Sequence, residues 1–312
     1  MNLKSAITYV GGIAVGHAQD EDALTGCTVI LCRTGAMAGV DIRGGAPGTR
    51  ETDLLDPVNL VEKVHAVLLA GGSAYGLDAA SGVMRYLEEN NVGYSMGSVK
   101  VPIVPAAILY DLGLGRADIR PDAAMGYRAA ASASSAAPAE GNVGAGTGAS
   151  VGKIRGMEYA MKAGIGTASM DIHGLTIGAI VAVNAMGDVV DPSNGVKIAG
   201  LRSGTTLEWM KNNRTGSGLR SNTTIGVIAT NAKLTKAQAT KVAQMAQDGL
   251  AQSIRPAHTL FDGDTVFTLA IGDVEADVTT VGAFAAEVMA QAIVRAARMA
   301  GPAGGLPGLK ND

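Results

Sequence analysis

The feature that most constrains the fold of this chain is a repeated alternation of short apolar segments with longer segments of helical periodicity. Strands are predicted at 7–16, 27–33, 66–70, 165–172, 175–184, 223–230 and 264–271. Helices are predicted near 58–64, 76–89, 235–250 and 281–296. Alternation of this kind indicates an α/β protein in which helices cover sheets. The pattern leaves the strand order open, because no clean series of βαβ units can be counted.

Some of these boundaries have clear local signals. Asp56-Pro57 predicts a helix start, since Asp caps a helix and Pro fits its first turn. Thr235 and Gln238 form a capping box for a later helix. Residues 129–150 are almost entirely Ala, Ser and Gly and are predicted to be a long loop. Residues 199–221 are polar and rich in Gly, Asn, Ser and Arg, which predicts a second loop or linker.

Composition limits the class of protein. Hydrophobic residues make up 47% and charged residues 17% of the 312-residue chain, so a sizeable core can form. The net charge is −3 with no basic block, which argues against a nucleic-acid partner. No signal peptide and no uncharged apolar run of membrane-spanning length is recognised, so a cytoplasmic, non-membrane protein is expected. Cys27 and Cys32 should face opposite sides of a strand as free thiols.

Motifs for cofactors and metals are incomplete. GGSAYG (71–76) follows a strand, but its glycines do not match the dinucleotide-binding spacing. In GTGASVGKI (146–154), Thr147 replaces the first glycine of a phosphate loop, and Ile154 replaces the magnesium-binding Ser or Thr. The four histidines are scattered, and a lone histidine is usually structural. We therefore expect no nucleotide cofactor and no metal.

The junction between the polar loop and the strand at 223 suggests a different chemistry. The Thr223 hydroxyl could attack the carbonyl of Asn222, and hydrolysis of the resulting ester would cut the chain. Thr223 would then carry a free α-amine beside its hydroxyl, and the amine could serve as the general base. A pair of threonines at a strand start also has an ordinary explanation, because threonine has a high β propensity.

FDGDTVF (261–267) holds the second candidate group. On an extended strand Asp262 and Asp264 would share a face, where they could bond the amine and hydroxyl of Thr223. The alternative is an Asp-Gly hairpin turn, which the local sequence taken by itself favours.

Three further side chains are candidates. Lys153 follows a glycine-rich loop and could lower a neighbouring pKa, or it could simply be solvated. Asn184 ends a predicted strand, where its amide could donate to an oxyanion or cap a turn. Tyr110 could be a core residue or a hydroxyl donor.

Several blocks, taken together, resemble a known family. They are GGSAYGLDAASGVMRYLEE, VPIVPAAILYDL, GNVGAGTGASVGK, VAVNAMGDVVDP and NTTIGVIATNAKLTKAQA, with AQSIRPAHTLFDGDTVFTLA completing the set. In this order they are similar to the P1 (S58) family of self-processing peptidases. That family contains the L-aminopeptidase/D-amidase/esterase and the β-peptidyl aminopeptidases. Within it, the Asn222-Thr223 pair most resembles the endo-acting hydrolases of 6-aminohexanoate (nylon) oligomers.

The resemblance implies a fold and a site. The fold would be a four-layer α-β-β-α sandwich like that of N-terminal-nucleophile hydrolases. A single domain would be cut into an α chain, 1–222, and a β chain, 223–312, and such pairs would form a homo-tetramer. Thr223 would be the nucleophile, oriented by the two aspartates. By the same resemblance Lys153 and Asn184 complete the site, with Asn184 in the oxyanion hole and Tyr110 close by.

The expected activity is hydrolysis of internal bonds in linear amides such as 6-aminohexanoate oligomers. The main alternative is an aminopeptidase, amidase or esterase acting on short or β-peptides. An acyltransferase similar to ornithine acetyltransferases, which also self-cleave before Thr, is a further alternative. An unprocessed binding protein is the non-enzymatic one.

Overall fold

The computed structural model describes residues 2–4, 6–213 and 222–310. The strands in this part of the chain are β1 (Asn2–Lys4), β2 (Ala14–Asp20), β3 (Thr25–Ile42), β4 (Thr49–Arg50), β5 (Lys63–Ala70), β6 (Tyr94–Met96), β7 (Val99–Val101), β8 (Ala106–Ile108), β9 (Ser150–Val151), β10 (Met161–Lys162), β11 (Ile165–Ile172), β12 (Leu175–Asn184), β13 (Asp188–Val190), β14 (Lys197–Ala199), β15 (Thr223–Ala232), β16 (Ile254–Arg255) and β17 (Thr265–Val274). The α-helices are α1 (Ala79–Glu89), α2 (Ala123–Ala131), α3 (Thr206–Asn212), α4 (Lys236–Ser253) and α5 (Val278–Arg298).

One large mixed sheet organises the molecule. Its strand order is β1-β11-β12-β15-β17-β3-β5-β8-β4, and β2 also pairs with β3. β3 has 18 residues and takes part in both halves of the sheet. Its C-terminal part pairs with β17, from Met37 to Ile42, and its N-terminal part pairs with β2 and β5. The register of the β3–β5 pair shifts between Leu31 and Ala36, so the two halves meet at an irregularity in β3.

The three largest hydrophobic cores formed by the described residues separate four layers. The inner core lies between the two halves of the sheet and takes Ile225 and Val227 from β15. On the opposite face of β15, Ile228 packs in a second core under α4 and α5. A third core lies between the other half of the sheet and α1 and α2. Because neighbouring residues of a strand point to opposite faces, each strand supplies two cores. The expected α-β-β-α sandwich is confirmed.

Several local predictions are confirmed with their boundaries. The hairpin β11–β12 turns at His173-Gly174, whose φ angles of 52° and 90° lie in the left-handed region. Helix α4 starts with the predicted capping box, in which Thr235 and Gln238 bond each other's backbone. Both elements depend mainly on residues close in sequence, which is why sequence patterns identified them.

The predicted helix after Asp56-Pro57 is wrong. The segment carries a short 3₁₀ turn, Asp53–Leu55, and then runs without a helix to β5. Asp56 has ψ of 130°, the extended conformation that a following proline favours. Val58 and Leu60 are 87% and 83% exposed, so the apolar spacing there does not mark a buried face.

Two predicted loops contain helices. Helix α2 ends at Ala131, so the first residues of the predicted loop 129–150 are helical. The rest of that loop contains no α-helix. Within 199–221 lies α3, whose capping box joins Thr205 and Glu208. The rest of that predicted linker, 214–221, lies outside the described residues. Small residues concealed α2, because its buried face consists of Met125, Gly126, Ala129 and Ala130 and so contains one large apolar side chain.

The two cysteines and the buried face of the last helix, α5, lie in the hydrophobic cores. Cys27 lies in the core under α1 and α2, and Cys32 lies in the inner core, so they face opposite sides of β3 as predicted. Both are free thiols, and burial raises the pKa of each to about 12. Helix α5 is long and apolar enough to cross a membrane, but 67% of its most apolar window is buried inside the protein. It packs against α4, β11 and β12 as a core helix.

Close packing between α1 and α2 gives a test of the fold. A Cβ atom on Gly82 would lie 1.7 Å from the carbonyl oxygen of Ala123. In the solvent-exposed interior of a helix, replacing Gly by Ala would stabilise the protein by about 1 kcal/mol. Here we expect Gly82→Ala to destabilise by roughly 1–3 kcal/mol, because the helices must move apart. Urea unfolding measures the change. Gly11→Ala, where no atom lies within 4 Å of the added Cβ, is the control. A Gly82→Ala variant as stable as the wild type would contradict the packing.

Candidate active site

The first residue of β15 lies inside the sheet. Thr223 is the antiparallel partner of Asn184 at the end of β12. On the other side, Asn222 forms a parallel bridge with Asp262, just before β17 begins. Asn222 and Thr223 are 1% and 4% exposed. The Asn-Thr junction singled out in the sequence is therefore held between two neighbouring segments.

The carbonyl group of Asn222 receives two hydrogen bonds. The Thr223 hydroxyl donates to it, and so does the N–H of Gly263, at 3.0 Å. The N–H of Asn222 donates to the carbonyl of Phe261 at 3.2 Å, which continues the parallel pairing. A Cβ atom at position 263 would lie 2.8 Å from the Thr223 hydroxyl oxygen. Glycine is needed there because any side chain would crowd the hydroxyl.

The two aspartates lie on either side of this glycine, and both are buried. Asp264 accepts the N–H of Thr224 through Oδ1 at 2.7 Å. Its Oδ2 accepts the N–H of His258 at 3.0 Å and lies 2.9 Å from Nδ1 of the same residue. Asp262 accepts the N–H of Thr259 at 2.9 Å and the hydroxyl of Thr259. Asp264 therefore bonds the amide that follows Thr223, and Asp262 bonds Thr259. The expected bonds from the two carboxylates to the amine and hydroxyl of Thr223 stay a prediction.

Opposing effects set the pKa of Asp262. Burial raises the pKa of the Asp262 carboxyl, and the negative charge of Asp264 raises it further. The hydrogen bonds from Thr259 and the positive charge of Lys153 lower it. The net effect is a pKa above the ordinary value for Asp262, which favours its neutral form more than for an exposed aspartate.

The Asp-Gly hairpin that the local sequence favours is wrong. The chain turns at 260–261, and the segment before it, β16, pairs with β13 instead of with β17. β17 pairs in parallel with β15 and antiparallel with β3. The dipeptide is extended because Gly263 pairs with Asn222, a residue about 40 positions earlier, and not with its own neighbours.

Lys153 and Asn184 form a connected pair. The Nζ of Lys153 donates to the backbone carbonyl of Asn184 at 2.9 Å and to its side-chain Oδ1 at 2.8 Å. The same Oδ1 accepts the N–H of Ser150 at 3.1 Å. Burial lowers the pKa of Lys153 to about 7, although the charges of Asp262 and Asp111 oppose this. Lys153 is thus buried, which excludes the solvated alternative, and it changes its charge near neutral pH.

Tyr110 joins the site through its backbone. Its carbonyl accepts the side-chain Nδ2 of Asn184 at 2.8 Å. Its ring is exposed and lines a cavity of about 120 Å³, so the core interpretation is wrong. The cavity wall consists of Tyr110, Asp111, Gly113, Leu114, Gly148, Ser150, Lys153 and Met157. Most of this wall is apolar, and Lys153 connects it to Asn184.

His258, Thr259 and Gly263 belong to the site but were missed from the sequence. The sequence shows His258 only as one of four scattered histidines. Its pKa is lowered by burial, but the hydrogen bond and charge of Asp264 outweigh burial, so that the pKa of His258 lies above its ordinary value. The one sequence signal for these residues is their closeness to the aspartate pair. Within 6–213 and 222–310, no three His, Cys, Asp or Glu side chains form a group that could hold a metal ion.

Sequence comparisons identify the family. The family model described as peptidase family S58 matches residues 5–310. An uncharacterized aminopeptidase of Mycobacterium leprae is 45% identical over 97% of this chain and 92% of its own length. One from Mycobacterium bovis is 46% identical over 97% of this chain and 96% of its own. The 6-aminohexanoate-oligomer endohydrolase of Kocuria sp. is 30% identical over 92% of this chain and 84% of its own.

Solved structures share the fold. The L-aminopeptidase D-Ala-esterase/amidase of Ochrobactrum anthropi, described as a new variant among the Ntn hydrolase fold, superposes with a TM-score of 0.74 and 21% identity. The alignment covers 97% of this chain and 88% of that one. A Burkholderia sp. β-aminopeptidase gives a TM-score of 0.72 and 24% identity, over 98% of this chain and 91% of that one. The matched family model, the relatives and the shared fold together place this chain in peptidase family S58, whose members include aminopeptidases and amide hydrolases.

Proposed function

We propose that this protein cuts its own chain between Asn222 and Thr223 and then hydrolyses amides with Thr223 as the N-terminal nucleophile. The observation that carries the proposal is the contact of the Thr223 hydroxyl with the Asn222 carbonyl, which also accepts the N–H of Gly263. A nucleophile, its target and a donor for the developing negative charge are thus together before any substrate binds.

The self-cleavage reaction balances without a cofactor. The Thr223 oxygen attacks the Asn222 carbonyl carbon and loses its proton to a base. The carbon–nitrogen bond then breaks, the nitrogen takes up a proton, and an ester joins Asn222 to the Thr223 side chain. Water hydrolyses the ester and leaves a free carboxylate and a free α-amine. Gly263 stabilises the oxyanion of the intermediate, because its N–H already points at that oxygen.

Lys153 is the base that we assign to this step. Its pKa of about 7 leaves a substantial neutral fraction at neutral pH, and only the neutral amine can accept a proton. Its Nζ is bonded to Asn184, which lies directly opposite Thr223. We assign Asp262, whose pKa is raised, to return a proton to the leaving nitrogen.

In the mature enzyme the roles shift to the new terminus. The α-amine of Thr223 has an unperturbed pKa of about 7.7–8.0 and acts as the general base for its own hydroxyl. The substrate carbonyl forms an ester with that hydroxyl, the amine product leaves with a proton, and water completes hydrolysis. The Asn184 amide, which carries two hydrogens and directs one to Tyr110, is assigned as an oxyanion donor.

The cavity supports linear, unbranched amides as substrates, such as 6-aminohexanoate oligomers cut internally. Its apolar wall suits a methylene chain. Its one carboxylate, Asp111, already accepts the Thr25 hydroxyl and the Gly72 N–H, both at 2.7 Å, so it is poorly suited to bind a substrate ammonium group. The second candidate is removal of N-terminal residues, which is supported by the higher identity to proteins named aminopeptidases.

The nucleophile has a matched control next to it. The buried Thr224 hydroxyl has no hydrogen-bond partner among the described residues, so Thr224→Val leaves nothing unpaired. We expect Thr224→Val to be cut and active, and Thr223→Val to remain one chain and lose all turnover. Intact-mass measurement and amide hydrolysis assays decide this. Cleavage at 222/223 in Thr223→Val, or activity of that uncut chain, would exclude Thr223.

The base can be tested through pH. If neutral Lys153 accepts the proton, the rate of self-cleavage rises with pH and levels off above about 7. Lys153→Arg keeps the positive charge but cannot lose its proton, so its cleavage should be slower by on the order of 10²–10⁴-fold at every pH. Lys211→Arg, at an exposed position, is the control. An unchanged rate in Lys153→Arg would remove Lys153 from this role.

Product sizes separate the two substrate classes. With 6-aminohexanoate oligomers, internal cleavage gives dimers and trimers early, whereas exo cleavage releases monomer first. We expect dimers and trimers, since the cavity offers no uncommitted carboxylate for a terminal ammonium group. Mass spectrometry at low conversion distinguishes the outcomes, and a blocked N-terminus should leave the rate unchanged. Early monomer, and loss of activity on blocked oligomers, would establish the aminopeptidase alternative.

A further inference from the structure

His258 makes an unusual double contact with the site. Both its backbone N–H and its ring Nδ1 bond one oxygen of Asp264, at 3.0 and 2.9 Å. The other oxygen of Asp264 accepts the N–H of Thr224, at 2.7 Å. Asp264 therefore connects His258 to the peptide bond that directly follows Thr223. The reaction steps proposed above make no use of His258.

The geometry points to His258 as a positioning residue that acts through Asp264. By occupying Oδ2, it directs Oδ1 onto the Thr224 amide and so fixes the backbone on which the nucleophile is carried. This inference rests on the proposed role of Thr223. His258 is not assigned a contact with substrate, and so it is not a catalytic residue.

The backbone conformation of His258 is part of the arrangement. His258 has φ of 56°, a left-handed conformation that is strained for most residues other than Gly, Asn and Asp. The backbone N–H points at Asp264 in this conformation, which makes the two contacts possible together. The carbonyl of Thr259, the next residue, accepts the N–H of Gly45 at 3.2 Å and anchors the turn to the segment after β3.

A misplaced Asp264 would matter because of burial. Thr224 and Asp264 are both buried. A buried donor that loses its partner is destabilised, so the strand start would shift to find another acceptor. Displacement of a reacting group by about 1 Å can reduce the rate on the order of 10²-fold. The effect should fall on the chemical step and not on substrate binding.

Two substitutions at the same position separate the side chain from the backbone strain. Glycine and asparagine both tolerate the positive φ, so neither adds strain. His258→Gly removes the ring. His258→Asn restores a donor, since its Nδ2 occupies nearly the position of the imidazole Nδ1. A difference between the variants therefore reports the hydrogen bond to Asp264.

We expect His258→Gly to lower kcat on the order of 10²-fold with KM nearly unchanged, and His258→Asn to recover most of the loss. Turnover is expressed per processed chain, as determined by intact mass, and the self-cleavage rate of each precursor is measured separately. Crystal structures should show Asp264 Oδ1 on the Thr224 N–H in His258→Asn and displaced from it in His258→Gly.

Wild-type kcat in His258→Gly, or an Asp264 carboxylate that stays on the Thr224 amide in that variant, would overturn the inference. So would a His258→Asn enzyme as slow as His258→Gly. Failure of the proposed function looks different: the wild-type protein would lack an N-terminus at Thr223. The crystallographic comparison decides the role of His258 even then, because it does not depend on which residue is the nucleophile.

Discussion

The carbonyl group of Asn222 is the point on which the site depends. It lies in the interior of the protein with the Thr223 hydroxyl and the Gly263 N–H bonded to its oxygen. This arrangement requires the parallel alignment of Asn222 with Asp262, and it requires a residue without a side chain at 263. In a water-poor environment such hydrogen bonds are stronger than on the surface. In the proposed self-cleavage, the alignment of these two segments is what activates the peptide bond between Asn222 and Thr223.

Around this bond the protein buries several ionisable groups close together. Each carries a desolvation cost, which neighbouring opposite charges and hydrogen bonds offset. Lys153 and Asp262 attract each other, while burial shifts both toward their neutral forms. Asp264 is paired with His258. In the proposed reaction Lys153 serves as the base and Asp262 as the acid, the combination that amide chemistry at neutral pH requires.

A second buried lysine supports this region without joining it. Lys162 donates to the carbonyls of Ala149 and Ala163, at 2.6 and 3.0 Å, and burial lowers its pKa to about 7. These bonds hold the glycine-rich segment that carries Ser150 and Lys153. Asn184 is oriented in turn by Ser150, Lys153 and Tyr110. The sequence blocks that resemble the peptidase family thus meet around one asparagine.

The sequence by itself identified most of the segments and the candidate residues of the site. The β11–β12 hairpin, the capping box of α4, the strand that starts at Thr223 and the Asp262–Asp264 pair were all readable. They depend on side-chain periodicity and turn chemistry within a few residues. The tertiary structure decided what lies next to what. It placed Asn184 opposite Thr223, His258 on Asp264 and Gly263 against the Thr223 hydroxyl. It also replaced the predicted hairpin at 262 with extended chain and kept the segment between Asp56 and β5 free of helix. These outcomes depend on the register between strands that are distant in sequence. Packing of the three cores sets this register, and a local sequence pattern does not predict it.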